Sequence, residues 1–314
     1  MIVHYSVKKK FTAVVITVIR WLILLSVSYV ILFPLLTMIS QSLMTQQQFM
    51  DSSVVWIPKQ LSLENFKIAF QALDFPTTLL HSLLINIGSA LVGMIACSIT
   101  AYGFSRFRFR GKNIFIIILL LTIILPPQMT IIPTYINFSH FDILGIMEGI
   151  SKLIGTDVRL NLIDTPFTFY LPSLLSTGYR SGLIIFIFMQ FFKGLPSELE
   201  EAASIDGASA FRTFRSIVLP SSGVAILSVF IFSVIWYWNE YFLSVMYFST
   251  QKPLSVQLMQ LQMALQADGI SSTIAVMTGV VKAACLLFII PPLLLYLILQ
   301  RKFIQSIDRV GIVG

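Results

Sequence analysis

The sequence is easiest to read outward from Glu198–Pro220, which reads ELEEAASIDGASAFRTFRSIVLP. This stretch holds six charged side chains, yet the segments on either side of it are among the most apolar of the chain. Charged side chains are costly in hydrocarbon, so the stretch should lie in water. Whatever it contacts there should explain what the apolar segments do.

The whole chain is too apolar for a soluble protein. Of its 314 residues, 56% are hydrophobic and only 11% are charged, and its mean hydropathy is +0.87. Soluble domains carry about 25% charged residues. Too little polar surface is left to cover a globule of this size, so lipid must cover part of it. The composition predicts a multi-pass membrane protein.

Six segments are long and apolar enough to cross a bilayer core, which takes about 20 helical residues. A closed barrel would show shorter segments of alternating hydrophobicity instead, so we predict an all-α membrane protein with six transmembrane helices. Arg180 interrupts the fourth segment, and interior prolines should kink several helices. The six predicted spans are Val15–Met38, Leu79–Phe104, Ile114–Ile136, Tyr170–Phe192, Val224–Phe248 and Ile274–Gln300.

The placement of Lys and Arg predicts that both termini are cytosolic. With the N-terminus inside, 13 of the 21 basic residues fall in cytosolic segments, 5 in outer segments and 3 within or at the edge of spans. Basic residues concentrate on the cytosolic side of membrane proteins. We therefore expect a cytosolic segment at 1–14, a transmembrane domain at 15–300 that includes a cytosolic loop at about 196–220, and a cytosolic tail at 301–314. The basic run Arg106–Lys112 is then a short inner loop, and no nucleic-acid partner is predicted.

Neither catalytic nor metal-binding residues are indicated. Cys97 and Cys285 both fall inside apolar segments, the three histidines lack metal-ligand spacing, and no nucleophile–base pair stands in a plausible site. The chain also has no GxxxxGK[ST] run to hold the phosphates of ATP. We therefore predict a subunit that is not an enzyme and that binds no cofactor of its own.

Local signals in the cytosolic stretch predict two short helices joined by a turn. Ser197 followed by Glu200 has the spacing of a capping box, so a helix should begin at Glu198. Gly207 can adopt the left-handed conformation that ends a helix. A second helical run is expected from Ala208 to Ser216, before Pro220 opens the next span. By pattern alone, this stretch fits a solvated amphipathic connector equally well.

The spacing of this stretch resembles the EAA loop of the membrane subunits of bacterial ABC importers. The sequence has Glu-Ala-Ala, three residues, Gly, nine residues, Ile, one residue and Leu-Pro. In that family the loop forms a coupling helix that enters a groove on the ATPase subunit. The resemblance implies an ATPase-coupling role for Glu200, Glu201, Ala202, Ala203, Asp206, Gly207, Ile217, Leu219 and Pro220.

Four further stretches are similar to the second permease of carbohydrate importers of the maltose-type class. They are AYGFSRFRFRGKN (Ala101–Asn113), LPPQMTIIPTY (Leu125–Tyr135), LPSELEEAASIDGAS (Leu195–Ser209) and WNEYF (Trp238–Phe242). The resemblance covers the chain from about residue 10 to its C-terminus. It implies the type I permease fold of ABC importers in a bacterial cell membrane. It also implies a second permease, two ATPase subunits that bind ATP and magnesium, an extracytoplasmic sugar-binding protein and a sugar substrate.

Five polar or aromatic residues of the spans are candidates for a solute path. Arg180 and Lys282 are ionisable groups within or beside spans, and they could favour an anionic sugar or simply reach the outer interface. Trp238, Asn239 and Glu240 combine an aromatic face with polar atoms, which suits sugar binding but also suits packing between helices.

Other functions fit the sequence less well. An ABC permease for amino acids, peptides or phosphate is compatible with the EAA spacing, while WNEYF and LPPQMTIIPTY favour a sugar. A secondary transporter would be expected to carry internal repeats or acidic residues in its spans, yet Glu240 is almost the only acidic residue there. A polytopic membrane enzyme has the least support.

Overall fold

The computed structural model describes residues 2–51, 54, 56–142, 145–155, 160–267 and 274–311, and in these ranges the chain is almost entirely helical. One isolated bridge, between Phe141 and Leu160, is the only β-type pairing in them. The helices are α1 Ile2–Ser42, α2 Gln46–Met50, α3 Glu64–Ala72, α4 Phe75–Arg106, α5 Lys112–Ile124, α6 Ile131–Ser139, α7 Ile146–Ile154, α8 Phe167–Leu174, α9 Ser181–Gly194, α10 Glu198–Ile205, α11 Ala210–Thr213, α12 Leu219–Ser221, α13 Gly223–Trp238, α14 Phe242–Tyr247, α15 Leu254–Ala267 and α16 Ile274–Gly311.

These helices fall into two compact units. The first comprises 1–73 and 261–288, and the second comprises 74–260 and 289–314. Helix α16 contributes its first part to one unit and its last part to the other. The cytosolic stretch described above and most of the candidate residues belong to the second unit.

In the first unit, α1 is a long helix without a buried stripe. Every side chain from Ala13 to Leu36 is exposed in this chain, although a helix on a soluble protein buries one face. Asn65 holds the end of α1 by donating its amide to the carbonyls of Ser42, at 3.1 Å, and Met44, at 2.8 Å. These bonds satisfy carbonyls that the helix end leaves unpaired. Lipid or another membrane chain is the natural surrounding of such a helix.

In the second unit, α4 is the central helix, with α8, α9 and α13 packed against it and α5 packed against α9. Helices α5 and α9 approach each other closely at Gly182, where an added Cβ would lie only 2.5 Å from Oγ1 of Thr122. One buried cluster surrounds Phe188 and Phe192, towards the predicted cytosolic side. A second surrounds Phe169, Tyr237 and Phe248 towards the other side.

Only some of the predicted spans are single helices. Three helices are long and apolar enough to cross a membrane: Ala13–Ser42, Phe75–Arg106 and Met277–Lys302. Counting each sharply bent helix pair as one span raises the number to six within the described ranges. The predicted first, second and sixth spans therefore match the structure directly, and the all-helical membrane fold is confirmed.

The predicted third, fourth and fifth spans are broken. Helices α5 and α6 are bent by 99° around Pro126 and Pro127, a sharper change than the expected kink. Between α8 and α9 the chain leaves the helix at Leu175–Arg180, so Arg180 precedes α9 and does not lie inside a span helix. In the predicted fifth span, helix α13 ends at Trp238, and α14 begins only at Phe242. Continuous helices were the wrong expectation here, because composition reports apolar length and not helix direction.

Candidate functional site

Helix α10 forms the start of the stretch that is predicted to be cytosolic. We call residues 195–222 the coupling loop, after the role that the resemblance implies. Helix α10 begins at Glu198, as predicted, after a bend of 78° from α9. Its first turn carries Glu198, Glu200 and Glu201. Acidic groups at this end interact favourably with the helix dipole. The abrupt bend turns the chain away from the axis of α9 as soon as the apolar segment ends.

The predicted capping box is wrong. The side chain of Ser197 makes no capping hydrogen bond, and the carboxylate of Glu200 is directed to the end of α4. One of its oxygens lies 2.6 Å from Nε of Arg106, and the other accepts a hydrogen bond of 3.1 Å from the hydroxyl of Tyr102. A charged partner on another helix therefore competes successfully with the local capping geometry.

The turn after α10 has the predicted left-handed glycine. Gly207 has φ +76°. Its N–H donates to the carbonyl of Ser204 at 3.1 Å, and the N–H of Ala208 donates to that of Ala203 at 2.9 Å. Together these two bonds form a Schellman motif, which ends the helix and satisfies its last carbonyls. The turn fixes the direction in which the chain leaves α10.

The second half of the loop differs from the uniform helix that was expected. Helix α11 is short, with Ser209 at its N-cap, and is followed by a π-helical turn at Phe214–Val218. Helix α12 then continues through Pro220. The bend of 79° into the next span falls after Ser221, so Pro220 does not open that span.

A buried aromatic cluster supports both ends of the loop. The ring of Tyr102 lies 5.0 Å from that of Phe214 and 6.3 Å from that of Phe192, and Phe192 also meets Phe214 edge-on at 6.3 Å. These rings come from the end of α4, the end of α9 and the π-turn. Edge-to-face and offset contacts of this kind add to the stability gained by burying the rings. We call the packed rings of Tyr102, Phe192 and Phe214 the base of the loop.

The coupling loop has an exposed apolar tip, formed by Ile205 at the end of α10 and Phe211 in α11. Ala203 is buried, whereas Glu201 and Ala202 are exposed. Ile205 is 87% exposed and Phe211 is 66% exposed. In a loop that is predicted to face water, exposed apolar residues of this size indicate a surface that another protein covers. Sequence reasoning missed Ile205 and Phe211, although both are large apolar residues within an otherwise polar stretch.

The remaining predicted coupling residues occupy different surroundings. Asp206 is exposed at the end of α10, and Pro220 is exposed within α12. Ile217 and Leu219 are half-buried in the second half of the loop. The structure thus divides the predicted set into an exposed tip and a supporting part.

A cavity of about 470 Å³ lies elsewhere in the second unit. Its volume is within the usual range for small-molecule sites, about 300 to 1,000 Å³. The lining is mostly apolar with interspersed hydroxyl groups and one cation. Thr122, Thr134, Ser176, Arg180 and Tyr247 are among the residues that line it. Of these, sequence reasoning identified only Arg180.

Arg180 reaches the cavity from the broken segment between α8 and α9. Both Ser176, with φ +59°, and Arg180, with φ +58°, are left-handed, a conformation that costs a non-glycine residue about 1–2 kcal/mol. The guanidinium of Arg180 lies 5.4 Å from the ring centroids of Tyr179 and Trp236. Aromatic faces attract cations at this distance. The cation is therefore oriented by two rings and not simply extended into solvent.

Trp238, Asn239 and Glu240 follow one another at the end of α13. Trp238 is buried, and the amide of exposed Asn239 donates to the carbonyl of Ile235 at 2.8 Å. The buried carboxylate of Glu240 accepts hydrogen bonds of 2.8 Å from the N–H groups of Leu243 and Ser244. In this conformation Glu240 caps the start of α14. None of the three lines the cavity.

Lys282 belongs to the first unit, whereas Arg180 belongs to the second. Lys282 is half-buried in α16, three residues before Cys285. Within the part of the chain that the structure describes, no group of three or more His, Cys, Asp or Glu residues could hold a metal ion.

Asp164 connects two loops of the second unit that the topology predicted from Lys and Arg placement puts outside the cell. Its N–H donates to the carbonyl of Tyr247 at 2.8 Å. Its carboxylate accepts hydrogen bonds from the N–H groups of Ser249, at 2.7 Å, and Thr250, at 2.9 Å, and from the hydroxyl of Ser249. Burial alone would raise the pKa of Asp164, but these hydrogen bonds to the charged form outweigh it and lower the pKa.

We expect Asp164→Asn to loosen the 249–251 segment. Because the folded-state pKa of Asp164 is depressed, its contribution is complete above the unfolded-state pKa and is lost as the pH falls through the folded-state value. Protection of the amides at 249–251, measured relative to their intrinsic exchange rate at each pH, should therefore fall in the variant at neutral pH, and in the wild type only under acidic conditions. Asp142→Asn, which removes the carboxylate that accepts from Met147 and Glu148, is the matched control. Equal exchange in Asp164→Asn and wild type would contradict this assignment.

Comparison with known proteins places most of the chain within one family. A family model described as "Binding-protein-dependent transport system inner membrane component" matches residues 89–309. This match spans the coupling loop, the cavity-lining helices and most of α16, so it covers more than half of the chain.

Curated relatives are similar over most of their length. A putative ABC transporter permease protein from Caldicellulosiruptor sp. is 28% identical over 283 residues, covering 90% of this chain and 91% of the relative. The sn-glycerol-3-phosphate transport system permease protein UgpE of Salmonella typhimurium is 29% identical over 290 residues, with 88% and 91% covered. The probable ABC transporter permease protein YurM of Bacillus subtilis is 26% identical over 297 residues, with 94% and 88% covered.

The fold also matches a solved structure. A chain from a bacterial ABC transporter involved in the import of the acidic polysaccharide alginate superposes with a TM-score of 0.69 at 18% identity, covering 92% of this chain and 96% of that one. At this identity the superposition establishes the fold alone. Together with the family model and the relatives, it identifies this chain as a multi-pass cell-membrane protein of the family of binding-protein-dependent transport system inner membrane components, the permease subunits of ABC importers.

Proposed function

We propose that this permease subunit imports a sugar by alternating access and that the coupling loop transmits the motion of partner ATPases to the helices. The observation that carries the proposal is the combination of an exposed apolar tip, at Ile205 and Phe211, with a buried aromatic base. A tip that another protein covers can receive force, and a packed base can transmit it. A flexible connector would need neither feature.

The proposed assembly contains a second, different permease and two ATPase subunits, with an extracytoplasmic binding protein that delivers the sugar. ATP and magnesium are held by the ATPase subunits, because this chain has no phosphate-binding GxxxxGK[ST] run. ATP binding favours the closed arrangement of the ATPases, and the coupling loops couple that arrangement to the outward-facing permease. The switch works only if ATP binds one arrangement more tightly than the other.

The features of the cavity support a sugar as the solute. Sugars present apolar faces to aromatic rings and hydroxyls to hydrogen-bonding groups, and the cavity offers Phe169 and Tyr179 together with threonine and serine hydroxyls. Arg180 adds a cation that suits an acidic sugar. The names of two similar proteins also refer to anionic solutes, sn-glycerol-3-phosphate and alginate.

Reconstitution into proteoliposomes tests this function. Uptake of an oligosaccharide should require ATP, both ATPase subunits, the second permease and the binding protein, and omission of any one should abolish it. Uptake that an ion gradient drives without the ATPases would instead establish a secondary transporter and overturn the proposal.

We expect Arg180→Met to lower the uptake of acidic sugars more than that of neutral ones. Loss of one charged hydrogen bond, about 1.5 kcal/mol, corresponds to roughly a tenfold change in apparent affinity for the acidic sugar. Competition between a uronic oligosaccharide and its neutral counterpart measures the difference. Lys282→Met, assayed in the same way, tests separately the second candidate cation of the solute path, Lys282. An unchanged preference in Arg180→Met would remove Arg180 from the solute path.

A further inference from the structure

The contact between α4 and α10 divides the acidic residues of the coupling loop into two kinds. Glu198 and Glu201 are exposed, whereas the side chains of Glu200 and Arg106 retain only 17% and 18% of their accessible surface. Sequence reasoning grouped Glu200 with Glu201 as residues that face the ATPase. The structure separates them, because Glu200 faces this chain's own second span.

Three side-chain contacts join the two helices. Nε of Arg106 lies 2.6 Å from one carboxylate oxygen of Glu200, and the hydroxyl of Tyr102, one turn earlier on α4, donates to the other oxygen at 3.1 Å. A terminal nitrogen of Arg106 also donates to the carbonyl of Leu195 at 2.9 Å. Arg106 therefore holds the start of α10 and the link that precedes it.

Each charge of the Arg106–Glu200 pair lies at the helix end that favours its sign. Arg106 is the last residue of α4, and Glu200 lies in the first turn of α10, so each charge also interacts favourably with the dipole of its own helix. Because little water reaches either side chain, their attraction is screened less than that of a surface pair. Removing one partner would leave the other charge partly buried and uncompensated.

We propose that Tyr102, Arg106 and Glu200 form a clasp that makes α10 move with α4 as one body. In this role Glu200 is a positioning residue that does not itself contact the ATPase. Displacement of the exposed tip is then passed directly to the central helix of the second unit, against which α8, α9 and α13 pack. The inference rests on the proposed coupling function and adds the route by which the motion enters the helices.

The clasp predicts that Glu200→Gln uncouples the transporter without dissociating it. In complexes reconstituted with the ATPases, second permease and binding protein, solute moved per ATP hydrolysed should fall roughly tenfold, the ratio that corresponds to about 1.4 kcal/mol. Membrane abundance and co-purified ATPase should match the wild type. Glu198→Gln removes an exposed glutamate from the same turn and should leave the ratio unchanged.

Charge rescue separates positioning from simple packing. Arg106→Gln should lose coupling as Glu200→Gln does, whereas Arg106→Lys keeps a cation near the carboxylate and should recover much of it. Equal loss in both Arg106 variants would show that the charge is not what matters and would contradict the clasp.

A distance measurement tests the rigid connection itself. Spin labels at exposed positions 99 and 204, introduced as Ile99→Cys and Ser204→Cys with Cys97→Ala and Cys285→Ala, report on α4 and α10. We expect one narrow distance distribution that is the same with and without ATP, and a broadened one after Glu200→Gln. A narrow distribution and normal coupling in Glu200→Gln would overturn the clasp.

Failure of the clasp can be distinguished from failure of the proposed coupling function with Ile205→Glu, which alters the tip and leaves the clasp intact. If Ile205→Glu uncouples transport while Glu200→Gln does not, the clasp is wrong and the coupling function stands. If neither variant affects coupling, the proposed function of the loop falls, and the clasp falls with it.

Discussion

Complexes that carry Gly207→Pro are expected to insert normally but to lose at least about 99% of ATP-driven uptake, since a helix-breaking proline costs about 3 kcal/mol. Gly207 has φ +76° and donates its N–H to Ser204. Proline fixes φ near −65° and has no N–H, so the turn that directs the chain away from α10 cannot form. The measurement is solute uptake and ATP hydrolysis in the same proteoliposomes.

Gly207→Asn is the matched control for this prediction. Asparagine tolerates the left-handed conformation better than other residues with a Cβ, and no atom lies within 4 Å of a Cβ placed at this glycine. We therefore expect most of the uptake to survive in Gly207→Asn. Wild-type coupling in Gly207→Pro would show that the geometry of the turn does not matter for transport.

Ile205→Glu should uncouple transport nearly as strongly by changing the surface that the ATPase covers. Burying an isoleucine side chain contributes about 1.5–3 kcal/mol, and burying an unpaired carboxylate in its place is unfavourable. Because Ile205 is 87% exposed in the isolated chain, the substitution should leave the fold and stability of the permease unchanged. Together the two effects predict a fall in uptake of roughly a hundredfold.

Glu201→Lys, on the same exposed face, should act in the same direction, and Arg110→Glu provides the control. Arg110 is exposed in the turn between α4 and α5, outside the coupling loop. Its replacement changes the cytosolic charge without altering the tip of α10. Loss of ATPase stimulation in Ile205→Glu and Glu201→Lys but not in Arg110→Glu supports the assignment. Normal stimulation in all three would remove the tip from the ATPase interface.

The features predicted best from sequence were those that depend on local chemistry. Composition and apolar length identified α1, α4 and α16, because burial in lipid needs a long apolar run. The left-handed turn at Gly207 was also predicted correctly, since turn signals act over a few residues. Helix α10 begins at Glu198 as predicted, although the capping box that predicted this start does not form.

The features missed depend on residues that are distant in sequence. Tyr102 and Glu200 are 98 residues apart, so no local pattern indicates that α4 displaces the expected capping box. The 99° bend between α5 and α6 and the left-handed conformation of Arg180 were likewise not indicated by the local sequence. The stretch Ala101–Asn113 indicated a short inner loop and a family resemblance, but it did not reveal that Arg106 holds α10.

A single cysteine on α10 tests the central claim, that this helix is a cytosolic contact for an ATP-hydrolysing partner. Ala202→Cys, combined with Cys97→Ala and Cys285→Ala, places the thiol on the exposed face. A membrane-impermeant thiol reagent should label it in inside-out vesicles stripped of the ATPase, and bound ATPase should protect it. Labelling from the external side of intact cells, or labelling that the ATPase does not affect, would contradict the account.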